Sequence, residues 1–110
     1  MDTKMPFTYY VVIVNDGEGN VGVLQKGRYL NYFSFVNGKN RMRQMLSVGG
    51  RPWDEMLDML IELKVKIVVA RHFLPCELAA LQQKGIRCFT FDGGTDAAFQ
   101  ALCGGKLAEL

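Results

Sequence analysis

This chain of 110 residues is poor in the groups that most metal and disulfide chemistry requires. It has one histidine, His72, and three cysteines, Cys76, Cys88 and Cys103, none in a CxxC pair. A closed zinc site wants four donors, so these residues alone do not assemble one. An odd cysteine count argues against a disulfide framework. No apolar run reaches membrane-spanning length. The start, Met-Asp-Thr-Lys-Met-Pro, lacks the basic and apolar regions of a secretory signal, so the expected location is cytoplasmic. Carboxylates are also unevenly spread. None lies between Glu18 and Asp54, whereas Lys26, Arg28, Lys39, Arg41, Arg43 and Arg51 fall in that interval. That stretch is either a basic edge that discourages sheet aggregation or an anion-binding face.

What is present is a globular composition, 49% apolar and 22% charged, of a length suited to one domain over 1–110. The most informative stretch runs from Lys66 to Asp92. A β-branched run, Lys66-Ile-Val-Val-Ala70, precedes a helical segment opening near Pro75 and stopping at Gly85. A second β-rich run, Ile86 to Asp92, follows. This reads as a right-handed strand–helix–strand crossover with parallel strands. Both strands then end at one sheet edge, where open α/β sheets bind ligands.

Upstream, Phe7–Val14 reads as a central strand, apolar on both faces. Arg28–Val36 and Arg41–Val48 read as strands joined at Asn37-Gly38, a type I′ hairpin signal. Arg41, Arg43 and Met45 are expected on one face of the third strand. A helix follows Pro52, with Trp53, Met56, Leu57, Leu60 and Ile61 at helical spacing. Thr95 is the expected N-cap of a last helix, Asp96–Cys103. Cys88 and Cys103 are expected in the core. The order β-β-β-α-β-α-β-α predicts a mixed five-stranded sheet of order 3-2-1-4-5 with helices on its faces, a ribonuclease H-like α/β topology.

Several motifs invite chemistry. Gly17-Glu-Gly19-Asn-Val-Gly22 matches GxGxxG, but no helix opens there and no acidic residue follows at the required distance. Asp16 to Asn20 resembles the start of a calcium loop, yet lacks the glycine and glutamate an EF-hand needs at its sixth and twelfth positions. Asp16 and Asp92 at neighbouring strand ends could hold divalent cations for phosphodiester cleavage, although such residues routinely satisfy loop amides. Tyr29, Tyr32, Phe33 and Phe35 interleave with Arg28, Arg41 and Arg43. They suit either a single-stranded nucleic-acid platform or cross-strand core pairs. His72 and Cys76 are two donors suited to a transition metal or iron–sulfur cluster, with Cys76 in the first turn of a helix.

Lys66-Ile-Val-Val-Ala70, Leu78–Leu81, Lys84-Gly85-Ile86, Gly94-Thr95, Phe99 and Gly105-Lys-Leu-Ala-Glu109 together resemble the dinitrogenase iron–molybdenum cofactor biosynthesis family, which includes the NifX and NafY-type carriers. Gly27-Arg28 followed by Tyr32-Phe33 is similar to that family's second-strand region. Two departures stand out. Gln25-Lys26 replaces the family's usual His-Phe, and Arg71-His72-Phe73 replaces small residues, so one histidine position is lost and another appears. The resemblance implies a ribonuclease H-like fold without catalysis. It also implies binding of an anionic iron–sulfur or iron–molybdenum type cluster as cargo, exchanged with a cluster-donating or accepting protein. The expected contacts are Asn15, Asp16, Arg71, Gly93, Gly94 and Thr95, with His72 and Cys76 as metal donors.

Overall fold

The computed structural model describes residues 8–110. Phe7, expected to open the first strand, lies outside the described residues. The strands are β1 (Thr8–Asn15), β2 (Tyr29–Val36), β3 (Lys39–Ser47), β4 (Val65–Ala70), β5 (Arg87–Thr90) and β6 (Ala108–Glu109). The helices are α1 (Trp53–Glu62), α2 (Pro75–Gln83) and α3 (Thr95–Cys103), and a single 3-10 turn covers Leu24–Lys26.

The strands form one mixed sheet in the order β3-β2-β1-β4-β5-β6. β1 is antiparallel to β2 and parallel to β4, with Val12 beside Tyr32 on one side and Val68 on the other. β4 and β5 are parallel, as the crossover pattern requires. The expected five-strand sheet is corrected to six. β6 pairs antiparallel to β5, held by the Leu110 N–H on the Cys88 carbonyl at 2.9 Å and by a bidentate Arg87–Glu109 pair. Two residues are too few to show alternation, so this strand has no periodic signal.

β1 explains the two-sided core. Val12 and Val14 point to one face, where Met56 and Leu60 of α1 and Leu81 of α2 cover them. Val11 and Ile13 point to the other, where Phe33, Phe35 and Ala98 of α3 pack. A side-chain period of two sends successive residues to opposite faces, so an unbroken apolar run needs cover on both. On the first face the buried Tyr32 hydroxyl donates to the Leu63 carbonyl at 2.9 Å, tying β2 to the end of α1.

Local chemistry sets the boundaries. The Asn37-Gly38 turn has both residues at positive φ, 53° and 83°, as a type I′ hairpin demands. Pro52 stands at the N-cap of α1, one residue before the helix, and its carbonyl accepts the Met56 N–H. Gly94, not Thr95, is the N-cap of α3. Thr95 is the first helical residue because its hydroxyl and its N–H both donate to the Gly19 carbonyl, at 3.4 and 2.9 Å. Cys88 is buried as expected, whereas Cys103 is exposed at the end of α3. Cys103 lies four residues after Phe99 on the same helix face, but it is the last residue of α3 and is exposed together with Gly104 and Gly105 that follow it.

β3 carries the remaining correction. Its register shifts between Ser34 and Phe35, so Ser34 faces Met42 while Phe35 faces Asn40. Arg41 is the extra residue of this bulge. The Asn40 side chain fills the break by donating to the carbonyls of Ser34 and Met42, at 3.0 and 2.9 Å. Arg43 and Met45 therefore share the α3 face, paired with Phe33 and Asn31, and Arg41 drops out of that row.

Candidate functional site

The turns after β1, β4 and β5 surface side by side, and the glycine loop after β1 stitches them together. The Arg71 N–H donates to the Gly22 carbonyl at 2.9 Å, so the loop crosses the end of β4. The Val21 N–H donates to the Gly93 carbonyl at 2.8 Å and the Thr95 N–H to Gly19, so it continues over the end of β5. The loop closes on itself through Asp16, whose Oδ1 accepts the N–H groups of Glu18 and Asn20 at 2.7 and 3.2 Å. The buried Asn15 Oδ1 accepts the Gly17 N–H at 2.8 Å. These are the turn roles expected of Asn and Asp. The GxGxxG spacing has a matching local cause. Gly17 sits at φ 97°, and a Cβ on Gly22 would press within 3.2 Å of the Asp16 backbone. The loop then leads into a 3-10 turn and β2, not into a helix.

Of the eight residues singled out by sequence, Asn15, Asp16, Arg71, Gly93, Gly94 and Thr95 all belong to this stitched edge. The Thr95 amide already serves Gly19, and the Asp16 carboxylate already serves its own loop. His72 follows Arg71 in the β4–α2 loop, and both are exposed. Phe73 anchors that loop in the core, and Pro75 opens α2 with Cys76 exposed in its first turn. Glu77, fully buried, reaches back so that its Oε1 accepts the Leu74 N–H at 2.7 Å, while its Oε2 is buried without a hydrogen-bond partner. The segment Arg71–Leu74 is thus fixed at both ends, by Gly22 and by Glu77. Glu77 was not among the residues expected to matter. Its signal was a carboxylate two residues after Pro75, the reach-back position of a helix start.

Among the described residues, no three His, Cys, Asp or Glu side chains gather where they could hold one metal ion. His72 and Cys76 stand as two donors, and Asp16 and Asp92 do not form a cation-binding cluster with them.

Beside this edge, on the α3 face, a cavity of about 360 Å³ opens between the glycine loop, the first turn of α3 and the β2–β3 hairpin. Asn15 and Thr95 line it, together with Asn31, Phe33, Arg43 and Met45. Arg71, His72 and Cys76 do not. The aromatic residues of the hairpin are spent largely inside the protein: Phe33 is 2% exposed, Phe35 3% and Tyr32 7%. Tyr9 stacks on Phe35 and Tyr10 on Tyr32 at 5.3 and 5.6 Å, the cross-strand core pairing.

The sequence matches no protein-family model and no curated protein. The fold does match solved structures. A putative dinitrogenase from Methanocaldococcus jannaschii superposes with a TM-score of 0.77 at 9% identity, over 94% of this chain and 96% of that one. A putative NifB protein from Thermotoga gives 0.76 at 18% identity, over 93% of each. The apo form of the orange protein from Desulfovibrio gigas gives 0.73 at 11% identity, over 96% of each. This chain shares their fold nearly end to end. Among the described residues no helix is long and apolar enough to cross a membrane.

Proposed function

We propose that this chain is a non-catalytic carrier that binds an anionic metal–sulfur cluster or its precursor and passes it to another protein. We read the order β3-β2-β1-β4-β5 as ribonuclease H-like and the chain as a binding variant of that topology, akin to the iron–molybdenum cofactor carriers. One observation carries the reading. The Arg71–Leu74 loop has its backbone held at both ends, yet the side chains of Arg71, His72 and, one turn into α2, Cys76 are open to solvent. A fixed backbone with free donors is organised to receive a ligand rather than to complete the fold.

The donor count suits cargo. Four protein ligands close a site and hold a metal permanently. Two donors, an imidazole and a thiol in the first turn of a helix, leave a cluster's remaining positions open to a receiving protein. Arg71 complements a cluster's negative charge, and Asn15, Asp16, Gly93, Gly94 and Thr95 supply the rigid edge beside it. The names of the structural neighbours, drawn from nitrogenase chemistry, support the same direction.

Anoxic incubation with ferrous iron and sulfide tests this. The expected result is visible charge-transfer absorbance that survives desalting and is lost in a His72→Ala, Cys76→Ser double variant. A colourless wild type, or a double variant with an unchanged spectrum, overturns the assignment.

A further inference from the structure

The cavity on the α3 face has a composition unlike the rim at Arg71. Its one cation is Arg43, whose guanidinium lies 5.3 Å from the Phe33 ring centroid and 5.1 Å from that of Phe99. The two rings are themselves 4.8 Å apart. A guanidinium stacked on rings keeps its N–H edge free to bind a carboxylate in bidentate fashion. Among the described residues the ion pairs are Arg51–Glu55 and Arg87–Glu109, and Arg43 joins neither.

The neighbouring carboxamides are oriented by a short relay. Asn15 Oδ1 is occupied by the Gly17 N–H, which turns its Nδ2 toward Asn31 Oδ1 at 3.5 Å. Asn31 thereby spends its oxygen on Asn15, and its Nδ2 remains as a donor on the cavity wall beside Arg43. On the opposite wall Asp96 presents an exposed carboxylate that joins neither ion pair. Met45 also lines the cavity and is 60% exposed, the most solvent-open large apolar side chain among the described residues. A flexible thioether suits irregular apolar partners.

We propose that this cavity is a binding site for a free α-amino acid with an apolar side chain. Arg43 and Asn31 take the carboxylate, Asp96 takes the ammonium group, and the side chain packs on the exposed Met45. The volume is in the range of small-molecule sites. With one cation and one carboxylate the walls match a zwitterion, and they disfavour a dianion such as phosphate or a polyanionic cluster. The site uses neither Arg71, His72 nor Cys76, and it shares only Asn15 and Thr95 with the edge assigned to the metal–sulfur cluster.

The test is calorimetric titration of the purified full chain with L-leucine, L-methionine and L-phenylalanine. The comparison ligands are 4-methylpentanoate, which lacks the amino group of leucine, isoamylamine, which lacks its carboxylate, and inorganic phosphate. The expected result is binding of at least one amino acid about tenfold or more tighter than either half-molecule, with phosphate not competing. Arg43→Gln should weaken the amino acid by about tenfold or more, and Asp96→Asn should do the same while leaving 4-methylpentanoate unchanged. Amide spectra should show the bound ligand moving the Asn15 and Asn31 side-chain signals and leaving those of Arg71–Cys76 in place. No binding by any amino acid at about 10 mM overturns the proposal. So does equal binding of 4-methylpentanoate, competition by phosphate, or a response confined to Arg71–Cys76.

Discussion

The two faces of the sheet are built to different ends. On one, α1 and α2 lie over aliphatic side chains from β1, β2 and β4, and Leu60, Met56, Leu81 and Val68 are sealed from solvent. On the other, α3 is the covering helix among the described residues, and it lies over β1, β4 and β5 with Phe99 reaching toward the hairpin. At the limit of its reach the hairpin is covered by side chains: Arg43 over Phe33 and the Phe99 of α3, and Met45 largely bare. The lesson is that polar and mobile side chains reach the surface of the sheet where helix cover runs out. A face closed by two helices contributes stability. A face closed by one leaves a hairpin surface whose side chains are free to be polar.

The sharpest way to break that comparison is to cut into the closed face. Leu60→Ala removes a fully buried side chain from beneath α1 and should cost about 2–5 kcal/mol in denaturant unfolding. A smaller effect separates the thiols. Burial pushes Cys88 on the closed face up to about 11 from 9.0, while Cys76 and Cys103 are exposed. At pH 8 a thiol reagent should label Cys76 and Cys103 in the native protein and reach Cys88 only on unfolding. The linkage has a definite sign. The folded thiol is raised above its unfolded value, so its contribution is complete below 9.0 and is lost as pH rises toward about 11. Unfolding titrations across that window should show stability falling, and Cys88→Ala should flatten the fall. The smallest effect belongs to the open face. Arg43→Ala should lower stability by less than about 1 kcal/mol, since a half-solvated cation–π contact is worth little more. A loss as large as that of Leu60→Ala would mean that Arg43 is a core residue and that the two faces are not different in kind.

Much of this was readable in the chain. The unbroken apolar run of β1 required a central strand, Asn37-Gly38 required a hairpin, and the pattern from Lys66 to Thr90 required a parallel crossover. Each signal is local, carried by neighbours within a few residues of one another. What was not readable depends on pairing. β6 exists because Ala108 and Glu109 pair with Thr90 and Phe89, far back in the chain, and the Leu110 N–H reaches the Cys88 carbonyl. Arg41 leaves the row of Arg43 and Met45 because β2 and β3 slip by one residue at Phe35. Glu77 matters because its carboxylate finds the Leu74 amide after the helix has turned it inward.

The candidate site divides in the same way. Asn15, Arg71, His72 and Gly93 could be assigned to one edge from strand order alone, because parallel strands must finish together. The partners of that edge could not be assigned. Only the folded chain lays the glycine loop across β4 and β5, spends the Thr95 amide on Gly19, and sets Asn31 and Arg43 on the wall opposite Asp96. Periodicity and turn chemistry are short-range properties that sequence carries directly. Which hydrogen-bonding groups are consumed and which stay free is decided by contacts between segments far apart in the chain, and those come into being with the tertiary structure.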